Sequence, residues 1–108
     1  MIPRWQPGRQ GTGYRKLLLA SGKTWDAWLL HYPPGSSVPP HRDPVAGKHW
    51  RANVLLWGED AFRIVQPYCS SDVRRWKRIV TVFRPDIFLH EVRAVSRRRV
   101  VLSLGWVR

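Results

Sequence analysis

The sequence predicts an all-β fold, a sandwich or barrel that forms one domain over residues 1–108. Three observations lead to this prediction. Short runs rich in β-branched and aromatic residues alternate between apolar and polar side chains, as half-buried strands do. Turns rich in Gly, Pro, Asp and Ser separate these runs at short intervals. No segment longer than about ten residues repeats its apolar side chains with the period of an amphipathic helix.

Composition places the chain among globular proteins. Its 108 residues suffice for one hydrophobic core, and a 44% hydrophobic share with 7 Trp argues against disorder. No apolar run approaches the roughly 20 residues of a membrane-spanning helix, and the first residues do not resemble a signal peptide. A single cysteine, Cys69, excludes an internal disulfide and fits a reducing compartment. We therefore expect a cytoplasmic protein that does not enter a membrane.

The N-terminal half begins with an irregular arm. Residues 1–13 are rich in Pro and Gly, which favours a segment without regular structure. Strands are predicted at Tyr14–Ala20 and Trp25–Tyr32, joined by a Ser-Gly-Lys-Thr turn. On the second strand, Trp28 and Tyr32 fall on one face. A long loop over 33–48, rich in Pro and Gly, follows it.

The C-terminal half continues the pattern of short strands. Further strands are predicted at 50–57, 61–66, 77–83, 88–95 and 99–107, with a polar loop at 68–76. On the last strand, Arg99 and Ser103 share one face with the smaller residues Val101 and Gly105. Seven or eight short strands favour an all-β sandwich or barrel with few or no helices, and the jelly roll is one such fold.

Two histidines and a carboxylate form the candidate metal site. His41 and Asp43 are two residues apart, so on an extended chain both side chains point to the same side. His90 lies far along the sequence and would complete the set. Two histidines and one carboxylate on one face of a metal ion are typical of non-haem Fe(II) oxygenases. The sequence therefore predicts metal binding by His41, Asp43 and His90.

The net charge of +12 is high for a chain of this length. Such a charge attracts nucleic acid or another polyanion, and it also keeps a small protein soluble. The arginines are spread through the strands rather than gathered in a tail. Both interpretations of the charge stay open.

The motifs together resemble a known enzyme family. A Tyr-Pro-Pro-Gly segment at 32–35 leads to His-x-Asp at 41–43, and a distant His-Glu-Val at 90–92 is followed by an arginine nine positions after the histidine. This pattern resembles the 2-oxoglutarate- and Fe(II)-dependent oxygenases, with the prolyl-hydroxylase-like branch nearest. The resemblance covers about residues 25–107 and implies a double-stranded β-helix, or cupin-like jelly roll.

The resemblance also implies roles at the site. His41, Asp43 and His90 would bind Fe(II), and Arg99 would anchor the distal carboxylate of 2-oxoglutarate, a group that guanidinium binds through two parallel hydrogen bonds. Arg97 and Arg98 compete with Arg99, since a one-residue shift in strand register would bring in Arg98. Three further residues are predicted to contact the cosubstrate, namely Tyr32, Ser103 and Asn53. Arg51 shares a strand face with Asn53 but is the weaker candidate.

As function, the resemblance implies a small dioxygenase that uses 2-oxoglutarate and O2 to hydroxylate an unactivated C–H bond. A peptide side chain is the favoured substrate, and a nucleobase would fit the charge. One alternative is a non-catalytic metal-binding module attached to nucleic acid or an assembly through its basic surface. Another is a zinc- or manganese-dependent cupin, which would keep the metal ligands and have no need of Arg99.

The resemblance leaves one face of a sheet without a cover. Family members usually place N-terminal helices on the outer face of the larger sheet, and almost nothing precedes residue 14 here. The chain could form a homo-oligomer through that face. We expect most tryptophans in the core, and Phe83 and Phe88 as packing residues. His31 and His49 match no motif position.

Overall fold

The computed structural model describes residues 5–7, 13–43, 47–66, 73–77 and 79–108. Strands and turns account for the regular structure of these residues, and no helix occurs among them. The strands are β1 (Trp5–Pro7), β2 (Arg15–Ser21), β3 (Trp25–Tyr32), β4 (Val38–His41), β5 (His49–Trp57), β6 (Phe62–Gln66), β7 (Arg74–Trp76), β8 (Val80–Phe83), β9 (Leu89–Val92) and β10 (Arg99–Val107). Within this part of the chain, no helix is therefore long and apolar enough to cross a membrane.

The strands form two antiparallel sheets. The larger sheet has seven strands in the order β1-β2-β3-β10-β5-β8-β7, and the smaller has three in the order β4-β9-β6. Buried side chains from both sheets make up one core, with Tyr32, Phe83 and Val101 from the larger sheet and Phe62 and Val92 from the smaller. Two facing antiparallel sheets with a shared core confirm the predicted all-β sandwich.

Alternation along the strands decides which side chains enter the core. On β10, Arg99, Val101 and Ser103 are each at most 4% exposed, whereas Leu102 and Leu104 point to the other side. The register pairs Val101 with Leu30 of β3 and Ser103 with Asn53 of β5, so the same parity holds across the sheet. We call the side facing the small sheet the inner face, and the opposite side the outer face.

A glycine closes the turn after β5. Gly58 has a φ of 96°, and a Cβ atom there would lie 2.3 Å from the carbonyl oxygen of Arg98. Only glycine adopts this conformation and also tolerates so close a neighbour. The turn that the sequence predicts at this point therefore brings the chain against the start of β10.

Three short strands depart from the sequence prediction. β4 lies within the predicted loop 33–48, β7 within the predicted loop 68–76, and β1 within the predicted irregular arm. The sequence does not predict β4 because Pro39 and Pro40 argue against a central strand. Proline is tolerated here because β4 forms an edge of the small sheet. Cys69 lies outside the described residues.

The tryptophans are placed differently from our expectation. Trp28 is on the inner face, whereas the register puts the other tryptophans of the large sheet on the outer face: Trp5, Trp25, Trp50, Trp57, Trp76 and Trp106. Several are about half exposed, and Trp57 is 67% exposed. The prediction that most tryptophans lie in the core is wrong, because their parity on the strands opposes that of the buried residues. Phe83 and Phe88 are fully packed, as expected.

Candidate metal centre and cavity

The candidate metal ligands converge on the small sheet. His41 is the last residue of β4 and lies opposite His90 of β9 in the strand register. Asp43 follows two residues after His41, where its backbone N–H donates to the Pro85 carbonyl at 2.7 Å. One ligand atom from each of the three side chains lies within 4.8 Å of the others. Residues predicted from widely separated motifs are therefore brought together in one cluster.

Hydrogen bonds to backbone carbonyls orient both imidazoles. The Nδ1 atom of His41 is 2.8 Å from the Pro39 carbonyl oxygen, and the Nδ1 atom of His90 is 2.9 Å from the Phe88 carbonyl oxygen. A carbonyl oxygen only accepts, so each Nδ1 must carry the proton that is donated. In a neutral imidazole, Nε2 then holds a lone pair.

Both Nε2 atoms lie near the same carboxylate. Nε2 of His41 is 3.7 Å from Oδ1 of Asp43, and Nε2 of His90 is 3.4 Å from Oδ2 of the same carboxylate. Lone pairs facing a carboxylate are unfavourable unless a proton or a metal cation lies between them. Ring nitrogens held by carbonyls on their far side are the usual arrangement of metal-binding histidines. The three residues therefore fit a divalent metal ion.

Aromatic packing fixes the position of His90. Its ring centroid is 5.1 Å from that of Phe83 and 5.9 Å from that of Phe62. His90 is 6% exposed, whereas His41 is only half-buried. One ligand is thus held rigidly in the core and the other lies nearer to solvent. Such support is what a precise metal site requires.

The metal ligands open onto a cavity between the two sheets. Its volume is about 310 Å³, within the range of small-molecule sites. The large sheet supplies most of its wall, including the cationic side chains of Lys16 and Arg51. The Lys16 ammonium also lies 4.8 Å from the centroid of the Trp28 ring. A cavity that joins a metal site to two cations suits a small organic anion.

Arg51 is the centre of a polar network on the inner face. Its guanidinium donates to Oδ1 of Asp26 and to Oγ of Ser103, each at 2.8 Å. Ser103 in turn donates to Oδ1 of Asn53 at 2.6 Å. Gly105 leaves room for this arrangement, since a Cβ atom there would lie 2.2 Å from an Arg51 nitrogen. Ser103 and Asn53 thus lie in one network, and Ser103 lines the cavity while Asn53 lies behind it.

Arg99 is buried on the predicted face of β10, but it has other partners. It is 4% exposed, its Nε donates to the Glu59 carbonyl at 3.2 Å, and its guanidinium lies 4.7 Å from the Tyr32 ring centroid. Tyr32 lines the cavity, whereas Arg99 is not among the described lining residues. Burial raises the pKa of Tyr32 to about 12 despite the neighbouring Arg99, so its phenol stays protonated.

Three polar lining residues, Lys16, Asp26 and His49, were given no site role from the sequence. His49 is buried in the cavity wall, and its Nδ1 has no hydrogen-bond partner among the described residues. Burial, followed by the nearby Arg51, lowers the pKa of His49 and favours a neutral ring. Lys16 was likewise missed. Strand parity could have found it, because Lys16 pairs with Leu30 on the inner face.

Comparison with known proteins identifies the fold. No protein-family model matches the sequence, and no curated protein matches it. Among solved structures, a Pseudomonas putida prolyl-4-hydroxylase is similar, with a TM-score of 0.69 and 18% identity over 96% of this chain and 77% of that chain. The DMSP lyase DddQ from Ruegeria pomeroyi DSS-3 has a TM-score of 0.70 and 21% identity over 98% of this chain and 56% of that chain. The Cnp3 cupin domain from Schizosaccharomyces pombe has a TM-score of 0.66 and 11% identity, covering 97% of this chain and 70% of that chain.

These similarities confirm the cupin-like jelly roll, or double-stranded β-helix, predicted from the sequence. Identities below 25% establish the fold and nothing finer. The structures that share it include a hydroxylase, a lyase and a cupin domain. The chemistry must therefore be argued from the side chains of this chain.

Proposed function

We propose that this protein is an Fe(II)- and 2-oxoglutarate-dependent dioxygenase that hydroxylates an unactivated C–H bond. The observation that supports it most is the convergence of His41 and His90 on Asp43, with the two Nε2 atoms 3.7 Å and 3.4 Å from its carboxylate oxygens. Two histidines and one carboxylate leave half the coordination positions of an octahedral ion open. Bound iron would supply O2 activation coupled to oxidative decarboxylation of 2-oxoglutarate.

The protein's own contribution is to bind, orient and shield. The Phe83 and Phe62 rings pack beside His90 and keep this metal ligand away from water. The cavity wall supplies cations for a dicarboxylate, and a guanidinium binds a carboxylate more specifically than an ammonium does. Exclusion of water strengthens these charge interactions. Binding of the cosubstrate would thus be determined by the large sheet.

Arg51 and Arg99 are alternative anchors for the distal carboxylate of the cosubstrate. The family resemblance assigns this role to Arg99, with Tyr32 beside it. Arg51 is the anchor that the geometry favours, because it lines the cavity and Arg99 does not. Asp26 already pairs with Arg51, so an arriving carboxylate would share or displace that partner.

A second candidate function is a metal-dependent cupin reaction without 2-oxoglutarate, on zinc or manganese. The burial of Arg99 behind Tyr32 favours this candidate, because it removes the predicted cosubstrate anchor from the cavity. A small carboxylate would then be the substrate itself, held by Lys16 and Arg51. The non-catalytic module proposed as an alternative would keep the metal and show neither reaction.

Substrate choice follows from the first candidate. A peptide side chain is the favoured target, and a nucleobase is the other. Succinate formation distinguishes them, because a substrate that fills the cavity should raise the rate above the uncoupled one. We expect stimulation by proline-containing peptides and none by single-stranded oligonucleotides.

The test begins with metal binding. Purified chain is titrated anaerobically with Fe(II), followed by aerobic incubation with 2-oxoglutarate and detection of succinate by NMR. We expect one iron per chain and formation of succinate. Asp43→Ala should lose stoichiometric iron, whereas Asp60→Ala, which removes a carboxylate paired with Arg75, should keep it. His41→Ala and its control His31→Ala should differ in the same way.

Each failure has a distinct meaning. Iron bound equally well by a His41→Ala/Asp43→Ala double variant would contradict the metal site. Stoichiometric metal without succinate, at any metal tested, would contradict the dioxygenase. Turnover of another small carboxylate by the zinc- or manganese-loaded protein would then establish the second candidate.

A further inference from the structure

The outer face of the large sheet carries an uninterrupted apolar surface. Strand register aligns its side chains in three rows that run across the strands. The first is Leu17-Leu29-Leu102-Val54-Val80, the second is Ala20-Ala27-Leu104-Ala52-Val82, and the third is Trp25-Trp106-Trp50. We call these three rows the apolar rows. None of their positions is ionisable, although the chain carries 26 charged Lys, Arg, Asp and Glu residues.

The apolar rows remain accessible in the single chain. Leu104 is 38% exposed and Trp25 49% exposed, Ala20 is also exposed, and the other side chains of the rows are partly exposed, with none of them buried. Contiguous exposed apolar surface of this extent is uncommon on monomeric proteins and marks an interaction site. The rows therefore call for a partner that covers them.

Charge distribution separates the candidate partners. Cationic residues border the rows. Arg15 on β2 and Arg98 lie near His31 at one end, and Arg74 lies on the edge strand β7. The Arg84 guanidinium lies 5.9 Å from the centroid of the Trp50 ring. The middle of the face, where Leu29, Leu102 and Val54 lie, is aliphatic and uncharged. A nucleic acid would need its phosphates near cations and its bases on aromatic rings throughout. An aliphatic centre instead suits another protein surface of the same kind.

The surface shape of the second row is complementary to that of a second copy of this chain. Leu104 belongs to β10, the central strand of the sheet, and its two neighbours in the register are Ala27 and Ala52. A large side chain between two small ones forms a projection flanked by two hollows. When two copies face each other about a twofold axis, each Leu104 can enter a hollow of the other. Such self-complementarity is what an isologous interface requires.

The available area is sufficient. Five strands about 4.8 Å apart, each contributing about six residues at about 3.3 Å per residue, cover roughly 500 Å² per copy. Two copies would therefore bury about 1,000 Å² in total, the lower limit for a specific interface. Facing sheets pack about 10 Å apart with interdigitating side chains, so two copies can pack directly without another segment between them.

We propose that this protein forms a homodimer in which the apolar rows of two copies pack face to face across a twofold axis close to Leu104. The inference does not depend on the proposed function, because the metal ligands and the cavity lie on the opposite side of the sheet.

The cationic border gives the dimer a distinctive salt dependence. Two copies of charge +12 repel each other, and salt screens that repulsion while leaving apolar burial intact. Dimerisation should therefore strengthen as salt rises. Nucleic-acid binding has the opposite dependence, since it weakens as salt rises. One salt series thus distinguishes the two uses of the same surface.

The experiment is sedimentation velocity of the full chain over a concentration series, at about 0.05 M and about 0.5 M salt. We expect a dimer whose dissociation constant falls with salt. Leu104→Glu should raise that constant by about 100-fold or more, since it buries a carboxylate in the interface. Ile87→Glu is the matched control, because Ile87 is 37% exposed and lies in a turn outside the rows. It should dimerise as the parent does.

Leu17→Glu provides an independent variant in the first row, and thermal melts monitored by circular dichroism verify that every variant is folded. The proposal is overturned if the parent stays monomeric at both salt concentrations up to about 100 μM, far above a micromolar dissociation constant. Self-association unaffected by Leu104→Glu and Leu17→Glu would also overturn it. So would single-stranded DNA binding that depends on the same leucines and prevents association.

Discussion

The two faces of the large sheet are built from alternate residues of the same strands, yet they serve opposite purposes. Along β10, the inner residues are Arg99, Val101 and Ser103, and the outer ones include Leu102 and Leu104. The inner face carries an ionic network beside a cavity, whereas the centre of the outer face carries aliphatic and aromatic side chains, with Arg15, His31 and Arg74 at its border. The inner face thus combines the apolar core with buried polar side chains such as Arg99 and Ser103. Apolar surface is left over on the side that no other part of the described chain covers.

Strand parity, rather than hydrophobicity, therefore determines which residues line the site. A hydrophobic strand residue such as Leu102 would ordinarily be placed in the core. Here the core is small because the cavity occupies part of the space between the sheets. Polar side chains are tolerated on the inner face because they bond to one another, as Arg51, Asp26, Ser103 and Asn53 do.

The largest expected difference between the two faces is in the free energy of unfolding lost on mutation. Phe83→Ala removes a side chain that is 1% exposed and lies beside His90, and should lower the free energy of unfolding by about 3–5 kcal/mol. Leu104→Ala, on the outer face, should lower the free energy of unfolding of the dilute monomer by less than about 1 kcal/mol, since this side chain is exposed in the single chain. Urea denaturation measures both. Equal losses would mean that the outer face is already packed within one chain.

The inner face can be probed through its two arginines. Arg51→Met should weaken binding of 2-oxoglutarate by about 10- to 100-fold, the value of a hydrogen bond to a charged group. Arg99→Met should alter stability more than affinity, because its guanidinium contacts Glu59 and Tyr32 rather than the cavity. Isothermal titration with the metal-loaded protein measures the affinities. A larger loss of affinity at Arg99 would restore the anchor that the family resemblance assigns, and Arg97→Met and Arg98→Met should have little effect.

The smallest effect concerns a histidine on the outer face. Burial, Arg98 and Arg15 lower the pKa of His31 below its ordinary value of 6.5. The unfolded chain therefore binds this proton at a higher pH than the folded chain does, so the contribution of His31 to stability is fully present above pH 6.5 and is lost as the pH falls below that value. Denaturation at about pH 7.5 and about pH 5.5 should show this decline. His31→Gln should reduce it, and an unchanged decline would show that other groups cause it.

Sequence reasoning reached the fold and the metal cluster by different routes. Alternation and turn residues suffice for the strands of the large sheet, because a half-buried strand leaves its period in the sequence. The His-x-Asp spacing and the ligand preferences of Fe(II) proposed His41, Asp43 and His90 as one site, and the family resemblance supported the link to the distant His90. The structure brings ligand atoms of these three side chains within 4.8 Å of one another.

Other features could not be read from the sequence for physical reasons. The strand that contains Pro39 and Pro40 could not be predicted, because proline is acceptable there only through the strand's position at a sheet edge, which the sequence does not show. The face on which Trp25 and Trp106 lie depends on which side of the sheet is the core. Arg51 and Asn53 share a parity, so the sequence could not determine that the guanidinium reaches the cavity while the amide supports it.

The two sheets divide the candidate site between them. His41 and His90 belong to the small sheet, with Asp43 directly after it, whereas Lys16, Asp26 and Arg51 belong to the large one. Mutations that alter which small anion is held can therefore accumulate on one sheet without disturbing the ligands that hold the metal. A chain of this size could thus acquire a new substrate in single steps, each of which leaves the reactive centre intact. Directed evolution of specificity would begin at positions 16, 26 and 51.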